Sequence, residues 1–308
     1  MQIKRKPDAA IRDSSITIGT FDGVHFGHRL IIEKAQAEGK KRQIPSGIIT
    51  FEPPPYFFFQ KKHSPSLLTP LSEKLSLFAE IGVDFVWIIE FNETFANLSA
   101  LEFLNRIKEE ISPKVIVVGY DFRFGKNRVG DVKLLETVKK RYGFELFVLA
   151  SIKKLGIPVR STTIREKLLL GDLPLANLLL GRSYLIEGKV IKGSGRGKKL
   201  GFPTLNLELK DKNKLLPIDG VYAVYFLPHP PIPNPSFPGV MNIGTRPTFE
   251  GTGRHIEVHL LGVKDLKVKP REARVEILKR IRPEKKFLNI EELKKQIKED
   301  IKEAKKVF

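Results

Sequence analysis

At 308 residues the chain is about twice the length of a typical single domain, so two hydrophobic cores are expected. An apolar share of 41% excludes a disordered or collagen-like chain, and no apolar run reaches the ~20 residues that span a bilayer, so no membrane partner is expected. Cysteine is absent, which excludes disulfides, thiolate metal sites and cysteine nucleophiles and suits a cytoplasmic protein, while the net charge of +19 raises the question of nucleic acid.

The opening MQIKRKPDAAIRDSS is basic but has no apolar h-region, so it is not read as a secretory signal. Beyond it, short apolar runs alternate with helical patterns. Strands are expected at Ser15–Phe21, Gly47–Phe51, Phe85–Phe91, Val115–Tyr120 and Phe144–Ala150, and helices at Gly27–Gly39, Leu71–Ile81, Ala100–Ile111 and Asp131–Tyr142. Near-continuous apolar strands separated by helices predict a parallel sheet covered on both faces, with ligands beyond the carboxyl ends of its strands. Glu52–Phe59 (EPPPYFFF) reads either as an aromatic wall for a ring ligand or as core packing. The stretch Leu168–Gly181 is expected to join two domains, 1–182 and 183–308.

From about Ser183 the pattern changes to strands without intervening helices: Tyr184–Lys192, Val221–Leu227, Gly239–Ile243, His255–Leu261 and Ala273–Leu278. Strands at such short spacing predict an antiparallel barrel or sandwich. Pro228–Pro238 is too rich in proline to continue the preceding strand and is read as a stiff loop. A C-terminal helix follows, capped by Asn289 with Glu292 and carrying Ile290, Leu293, Ile297, Ile301 and Ala304 at helical spacing. Its lysines alternate with glutamates, the pattern of a solvated helix face, so the positive charge does not by itself indicate a nucleic-acid partner.

Two segments carry chemistry. In GTFDGVHFGH, Gly19 to His28, a strand runs through Phe21, turns at Asp22 and Gly23, and meets a helix near Gly27. His25 and His28 then lie together at a helix N-terminus, where amide groups, the helix dipole and imidazole donors favour phosphate. A metal pair or purely structural histidines are the competing readings. In GKVIKGSGRGKKLGFPTLNL, Gly188 to Leu207, the glycines Gly193, Gly195 and Gly197 with Lys198 suggest a loop that approaches an anion closely. It fits neither G-x-G-x-x-G, because Lys198 stands at the third glycine, nor the Walker A spacing.

The first segment resembles the H-x-G-H signature of nucleotidyltransferases, and specifically the adenylyltransferase module of bacterial bifunctional riboflavin kinase/FMN adenylyltransferases. LTPLSEKLSLFAEIGVD, VGYDFRFGKNRVGD and VRSTTIR match that family in order. The second segment resembles the riboflavin kinase signature G-x-x-x-G-[RK]-x-L-G-F-P-T-A-N, and MNIGTRPTFEGTGRHIEVHLL and IRPEKKF match it further along. The resemblance implies a Rossmann-like α/β nucleotidyltransferase domain followed by an all-β six-stranded barrel with a C-terminal helix. It implies that riboflavin and ATP give FMN, and that FMN and ATP give FAD and pyrophosphate, with Mg2+ as the metal.

It also assigns roles. His25 and His28 serve adenylyl transfer; Gly19, Phe21, Asp22, Gly27, Ser161, Thr162 and Arg165 bind its ATP; Asp121, Arg123 and Phe124 meet the flavin. On residues alone, Ser161 is as well read as a plain helix cap. In the barrel, Gly193, Gly195, Gly197, Lys198, Pro203, Thr204 and Asn206 bind ATP, with Thr204 and Asn206 holding the metal. Arg282, Glu284 and Phe287 meet the flavin, and Glu257 is the base. Strand alternation sets Ile256, Val258 and Leu260 on one face and Glu257 and His259 on the other. Departures from the family are Pro54, Lys192 and Lys198 where His, His and Arg are usual, Leu205 for Ala, and Lys267-Val268 in place of a Tyr-Gly pair. Rival readings are an enzyme with one live domain and a basic nucleic-acid-binding protein; the sequence leaves the oligomeric state open, a homo-oligomer included.

Overall fold

The structure, a computed structural model, describes residues 1–59, 66–193, 195–229, 236–245, 254–263 and 270–308. The chain divides into two compact units, Met1–Ser161 and Thr162–Phe308.

The first unit is built on a six-stranded parallel sheet. Its order across the sheet is Gln2–Lys4, Phe85–Glu90, Ser46–Glu52, Ser15–Ile18, Val115–Gly119 and Glu145–Leu149. Both faces are covered, as expected. Val115 and Val117 pack with Ala35 of the helix Phe26–Arg42, while Ile116 and Val118 join a larger cluster with Phe103, Leu104 and Ile107 of the helix Ala100–Ile111. That helix begins at residue 100 because Ser99 and Glu102 form a reciprocal capping box. The strand order reverses at Ser15–Ile18, which has Ser46–Glu52 on one side and Val115–Gly119 on the other. The carboxyl end of Ser15–Ile18 is therefore the switch point where open α/β sheets bind ligands, and Gly19–His28 begins there.

Several boundaries differ from expectation. The first expected strand stops at Ile18 rather than Phe21, because Phe21 takes a left-handed conformation (φ 50°) that no strand accommodates. The following helix starts at Phe26 and passes through Gly39 to Arg42. A Cβ at Gly39 would lie 2.9 Å from the Ile44 carbonyl oxygen, so this glycine permits close packing rather than ending the helix. Gln2–Lys4 was not foreseen: three residues on the sheet edge, mostly exposed, carry no period. EPPPYFFF forms a short helix, Pro55–Phe59, and Phe58 packs against the core beside Phe91.

The second unit is a closed antiparallel barrel. In order around it run Tyr184–Ile191, Leu205–Leu209, Arg254–Leu260, Phe237–Thr245, Gly220–His229 and Glu272–Arg282. Tyr184, Tyr222, Val224, Met241, Ile243, Val258, Val275 and Ile277 fill its core. The strand Gly220–His229 does continue through Pro228, contrary to expectation. Beyond Phe226 its pairing with Phe237–Thr245 has ended, and among the described residues only Glu272–Arg282 remains alongside, so Pro228 sits at an edge that does not require its missing N–H. Residues 230–235 of the expected loop lie outside the described residues. The C-terminal helix Ile290–Ala304 is capped as expected, Asn289 accepting from the Glu292 N–H. The helix Leu173–Leu180 within the expected linker packs on Glu272–Arg282, with Asn177 donating to the Ile277 carbonyl and accepting from the Tyr184 N–H.

Candidate active sites

At the switch point, backbone geometry makes a tight turn. Gly19 donates to the Ile49 carbonyl (3.0 Å), and Phe21, Gly23 and Val24 have φ of 50°, 93° and 39°. Left-handed Phe and Val cost on the order of 1–3 kcal/mol each and recur where a site fixes its backbone. Asp22 holds the turn in place: its carboxylate accepts from the Tyr56 hydroxyl (3.1 Å), the Leu68 N–H (3.3 Å) and the Thr69 N–H (2.9 Å). Thr69 Oγ1 in turn accepts from the Gly23 N–H at 2.8 Å. Asp22, expected at the nucleotide, thus shapes the loop from within at 4% exposure.

His25 caps the helix Phe26–Arg42, its Nδ1 accepting from the His28 N–H at 3.2 Å. An accepting Nδ1 carries no proton, so neutral His25 has its N–H on Nε2. The His28 ring stacks on that of His25, centroids 3.5 Å apart and planes 16° from parallel, with Phe21 edge-on at 5.2 Å. Burial first, then the neighbouring His25 and Lys74, hold His28 well below the ordinary imidazole value, so it is neutral near pH 7. Its Nδ1 is buried and without a hydrogen-bond partner, a kind of group rarely left unmet unless a ligand or water completes it. Gly27 lies against the His25 ring, and a Cβ there would come within 3.3 Å of it.

Lys74 was not singled out from the sequence. At 1% exposure it is buried near Asp22 and then Glu52, whose charges oppose the lowering of its pKa by burial. Its spacing offered a signal: Lys74 stands on the stripe of Leu71, Leu77 and Phe78 in the helix Leu71–Ile81, where a lysine is buried only if something compensates it.

The remaining expected residues are placed unevenly. Ser161 opens the helix Ser161–Leu170, and its hydroxyl donates to the Asp22 carbonyl at 2.7 Å, tying that helix start to the turn. Along the same helix, Thr162 is exposed and Arg165 is half-buried one turn after Ser161. Asp121 is exposed just past the strand Val115–Gly119. Arg123 pairs with Asp131 at 2.8 Å. Phe124 is 7% exposed and belongs to the core cluster, with half-buried Phe122 stacked on it at 5.4 Å.

In the barrel, sheet register assembles the second site. Asn206 pairs with Glu257, and Glu257 with Asn242, on adjacent strands. Thr204 Oγ1 lies 3.5 Å from Glu257 Oε2. Ile256, Val258 and Leu260 are buried and Glu257 is half-buried, as the alternation predicted. The glycine loop closes over these groups. A Cβ at Gly193 would fall 2.0 Å from the Asn206 amide nitrogen, and one at Gly197 would meet the Phe202 carbonyl at 2.4 Å and Thr204 Oγ1 at 3.1 Å. Gly195 (φ 73°) leads into the short helix Arg196–Leu200, on which Lys198 is exposed. Pro203 is exposed, and its carbonyl lies 2.8 Å from His259 Nδ1.

Among the flavin-side residues, Arg282 forms a two-pronged pair with Asp300 of the C-terminal helix (2.7 and 2.8 Å) and stands 5.7 Å over the Phe287 ring. The Glu284 carboxylate occupies the space a Cβ at Gly244 would need, 2.2 Å away. Lys267 and Val268 lie outside the described residues. Among the described residues no cluster of three or more His, Asp or Glu could hold a metal by itself. Thr204 and Asn206 are oxygen donors two apart on one strand face, which suits a hard cation that keeps most of its other ligands as phosphate and water.

Comparison with known proteins decides the family. A model described as FAD synthetase matches residues 8–163, and one described as riboflavin kinase matches residues 180–308. The bifunctional riboflavin kinase/FMN adenylyltransferase of Escherichia coli K12 is 40% identical over 294 residues, covering 95% of this chain and 92% of the relative. The chain belongs to the bifunctional riboflavin kinase/FMN adenylyltransferase family. Relatives of the same description in Buchnera aphidicola from Schizaphis graminum and in Haemophilus influenzae are 38% and 35% identical, covering 96% and 97% of this chain and 94% and 95% of theirs. A crystal structure from Streptococcus pneumoniae, described as a macrolide-efflux protein, shares 26% identity and a TM-score of 0.87 over 98% of both chains. That description stays with that protein. Among the described residues of this family member, no helix is long and apolar enough to cross a membrane.

Proposed function

We infer that the chain performs two ATP-dependent transfers on one flavin: riboflavin is phosphorylated to FMN, and FMN is adenylylated to FAD with release of pyrophosphate. The observation that carries this reading is that each compact unit has its own anion cradle. One is the histidine pair at the sheet switch point; the other is the glycine loop closed over Thr204, Asn206 and Glu257.

In the barrel, the riboflavin 5′-hydroxyl oxygen attacks the γ-phosphorus of ATP, its proton passes to Glu257, and the bond from that phosphorus to the β,γ-bridging oxygen breaks to release ADP. Mg2+ would be held by Thr204 and Asn206 and would neutralise phosphate charge as it builds. Gly193 and Gly197 supply closeness, and Lys198 supplies positive charge at the mouth of the loop. In the first unit, an FMN phosphate oxygen attacks the α-phosphorus of ATP and pyrophosphate departs. His25, through its Nε2–H, and neutral His28 act there as hydrogen-bond donors to the α-phosphate, where charge develops. With Asp22 holding the turn and Phe124 in the core, we assign the ligand-facing work to the turn backbone, the two imidazoles and exposed Asp121. The two catalytic domains are proposed as 1–182 and 183–308, with the linker helix Leu173–Leu180 packed on the barrel; the family models leave residues 164–179 between them. Use of ATP and a cysteine-free chain fit work in the cytoplasm.

The test is chromatography of riboflavin incubated with ATP, Mg2+ and the pure protein. FMN should appear first and FAD after it, and chelation of the metal should stop both. Product limited to FMN, or none from either step, overturns the bifunctional reading for this chain.

A further inference from the structure

His259 stands two residues from Glu257 on the same face of the strand Arg254–Leu260, while Val258 between them is buried in the barrel core. Its Nδ1 lies 2.8 Å from the carbonyl oxygen of Pro203, and its ring meets that of Phe202 edge-on at 5.8 Å. A carbonyl oxygen only accepts, so Nδ1 carries the proton and donates it. The position of this contact in the ladder gives it meaning. The strand Leu205–Leu209 pairs with Arg254–Leu260 at Leu207–Ile256, Asn206–Glu257 and Leu205–Val258, and the pairing ends there. Pro203 has no N–H to extend it. Thr204 therefore lies just past the end of the ladder, at the point where its hydroxyl approaches Glu257.

We propose that His259 is a positioning residue of the kinase site: its imidazole clamps the Pro203 carbonyl just past the end of the ladder, and so fixes Thr204, and the metal it would hold, relative to Glu257. Riboflavin phosphorylation needs the metal-bearing hydroxyl and the base held in one geometry, and groups one shell out commonly change metal affinity or rate by about 10–100-fold when lost. The neighbouring Phe202 ring keeps the imidazole from swinging away. This inference rests on the assignment of Thr204 and Glu257 to the kinase reaction.

Two substitutions separate positioning from bulk. His259→Asn keeps an amide N–H close to where Nδ1 stands, whereas His259→Leu keeps volume without a donor. In the full chain, His259→Leu should raise the Mg2+ concentration for half-maximal FMN formation by about tenfold or more. The KM for riboflavin and the rate of FMN conversion to FAD should stay within about twofold of the parent. His259→Asn should recover most of the loss, to within about threefold. The proposal is overturned if Leu is as active as the parent, if Asn is no better than Leu, or if riboflavin KM moves as far as the Mg2+ requirement. Should the Leu variant lose its barrel, His259→Gln serves in its place: its amide is one methylene too long, so it should fail where Asn succeeds, and equal activity of the two refutes the clamp. Glu257→Gln tests the underlying assignment independently, since retained kinase activity there removes Glu257 as base whatever His259 does.

Discussion

His28 offers a sharp electrostatic test at the scale of one residue. Burial holds its folded-state pKa well below 6.5, whereas the unfolded chain takes up a proton near that value. Below about pH 6.5 the unfolded state therefore binds the extra proton and the folded state does not, so stability falls as pH falls and is level above the window. The slope from such a site reaches ~1.4 kcal/mol per pH unit. Trp87 is the sole tryptophan and is buried in the sheet of the first unit, so its fluorescence reports on that unit alone. Denaturant unfolding followed by Trp87 should show stability dropping from pH 6.5 to 5.5, and His28→Gln should flatten the drop. An unchanged slope would mean that His28 already takes up its proton in the folded state. The histidine pair itself was legible in the sequence, because three-residue spacing after a strand fixes both side chains at one helix start. What Asp22 does was not, since its partners Leu68 and Thr69 come from 46 and 47 residues away. Local pattern carries no information about such distant contacts. Phe124 shows the same limit: a phenylalanine in a motif can face a ligand or the core, and its packing with Phe103 and Phe122 could not be read from the sequence.

At the scale of elements, the glycine loop is the feature most exposed to test. Gly193→Ala would place a methyl group 2.0 Å from the Asn206 amide, a contact that cannot be accommodated without moving the loop or Asn206. Riboflavin phosphorylation should fall by two orders of magnitude or more, roughly the cost of displacing a positioned group by 1 Å. FMN adenylylation in the same chain should be unaffected, and a loss of both would point to general misfolding instead. The C-terminal helix makes a second case. Asp300 is buried and grips Arg282, at the end of the strand that leads into the Phe287 segment. Asp300→Ala leaves that guanidinium partly buried and without its carboxylate partner, and should cost about 3 kcal/mol of barrel stability, the low end for removing one partner of a buried pair. Thermal inactivation of the kinase activity measures it. Long periodic elements were legible to the residue, as with Leu71–Ile81 and Ala100–Ile111. Short ones were not: Leu205–Leu209 (LNLEL) alternates apolar and polar residues but was read only as part of the phosphate-loop motif, in which Thr204 and Asn206 were already expected on an extended face. Pro228 misled in the other direction, because a proline is excluded from a strand only where its N–H would be needed.

For the whole molecule, the decisive claim is that the two reactions use different side chains in different units and are joined by a free intermediate. Glu257→Gln removes the proposed base from the barrel and leaves the first unit intact, so this variant should convert FMN to FAD but make no FMN from riboflavin. His28→Ala disturbs the switch-point turn alone and should accumulate FMN without FAD. Either variant by itself therefore makes no FAD from riboflavin. Mixed in equal amounts with riboflavin, ATP and Mg2+, they should produce FAD, because FMN released by the histidine variant is a substrate for the other. The rate should rise with protein concentration, as FMN must accumulate in solution before the second transfer proceeds. FAD appearing from a single variant would mean that the residue replaced is not needed for its step, and loss of both activities in either variant with native far-UV circular dichroism would mean that one site serves both steps. The positive charge of the chain is then best understood as a general aid to both transfers: at +19 it raises the local concentration of ATP and FMN alike, and 0.5 M salt should raise the KM for ATP in each reaction rather than in one.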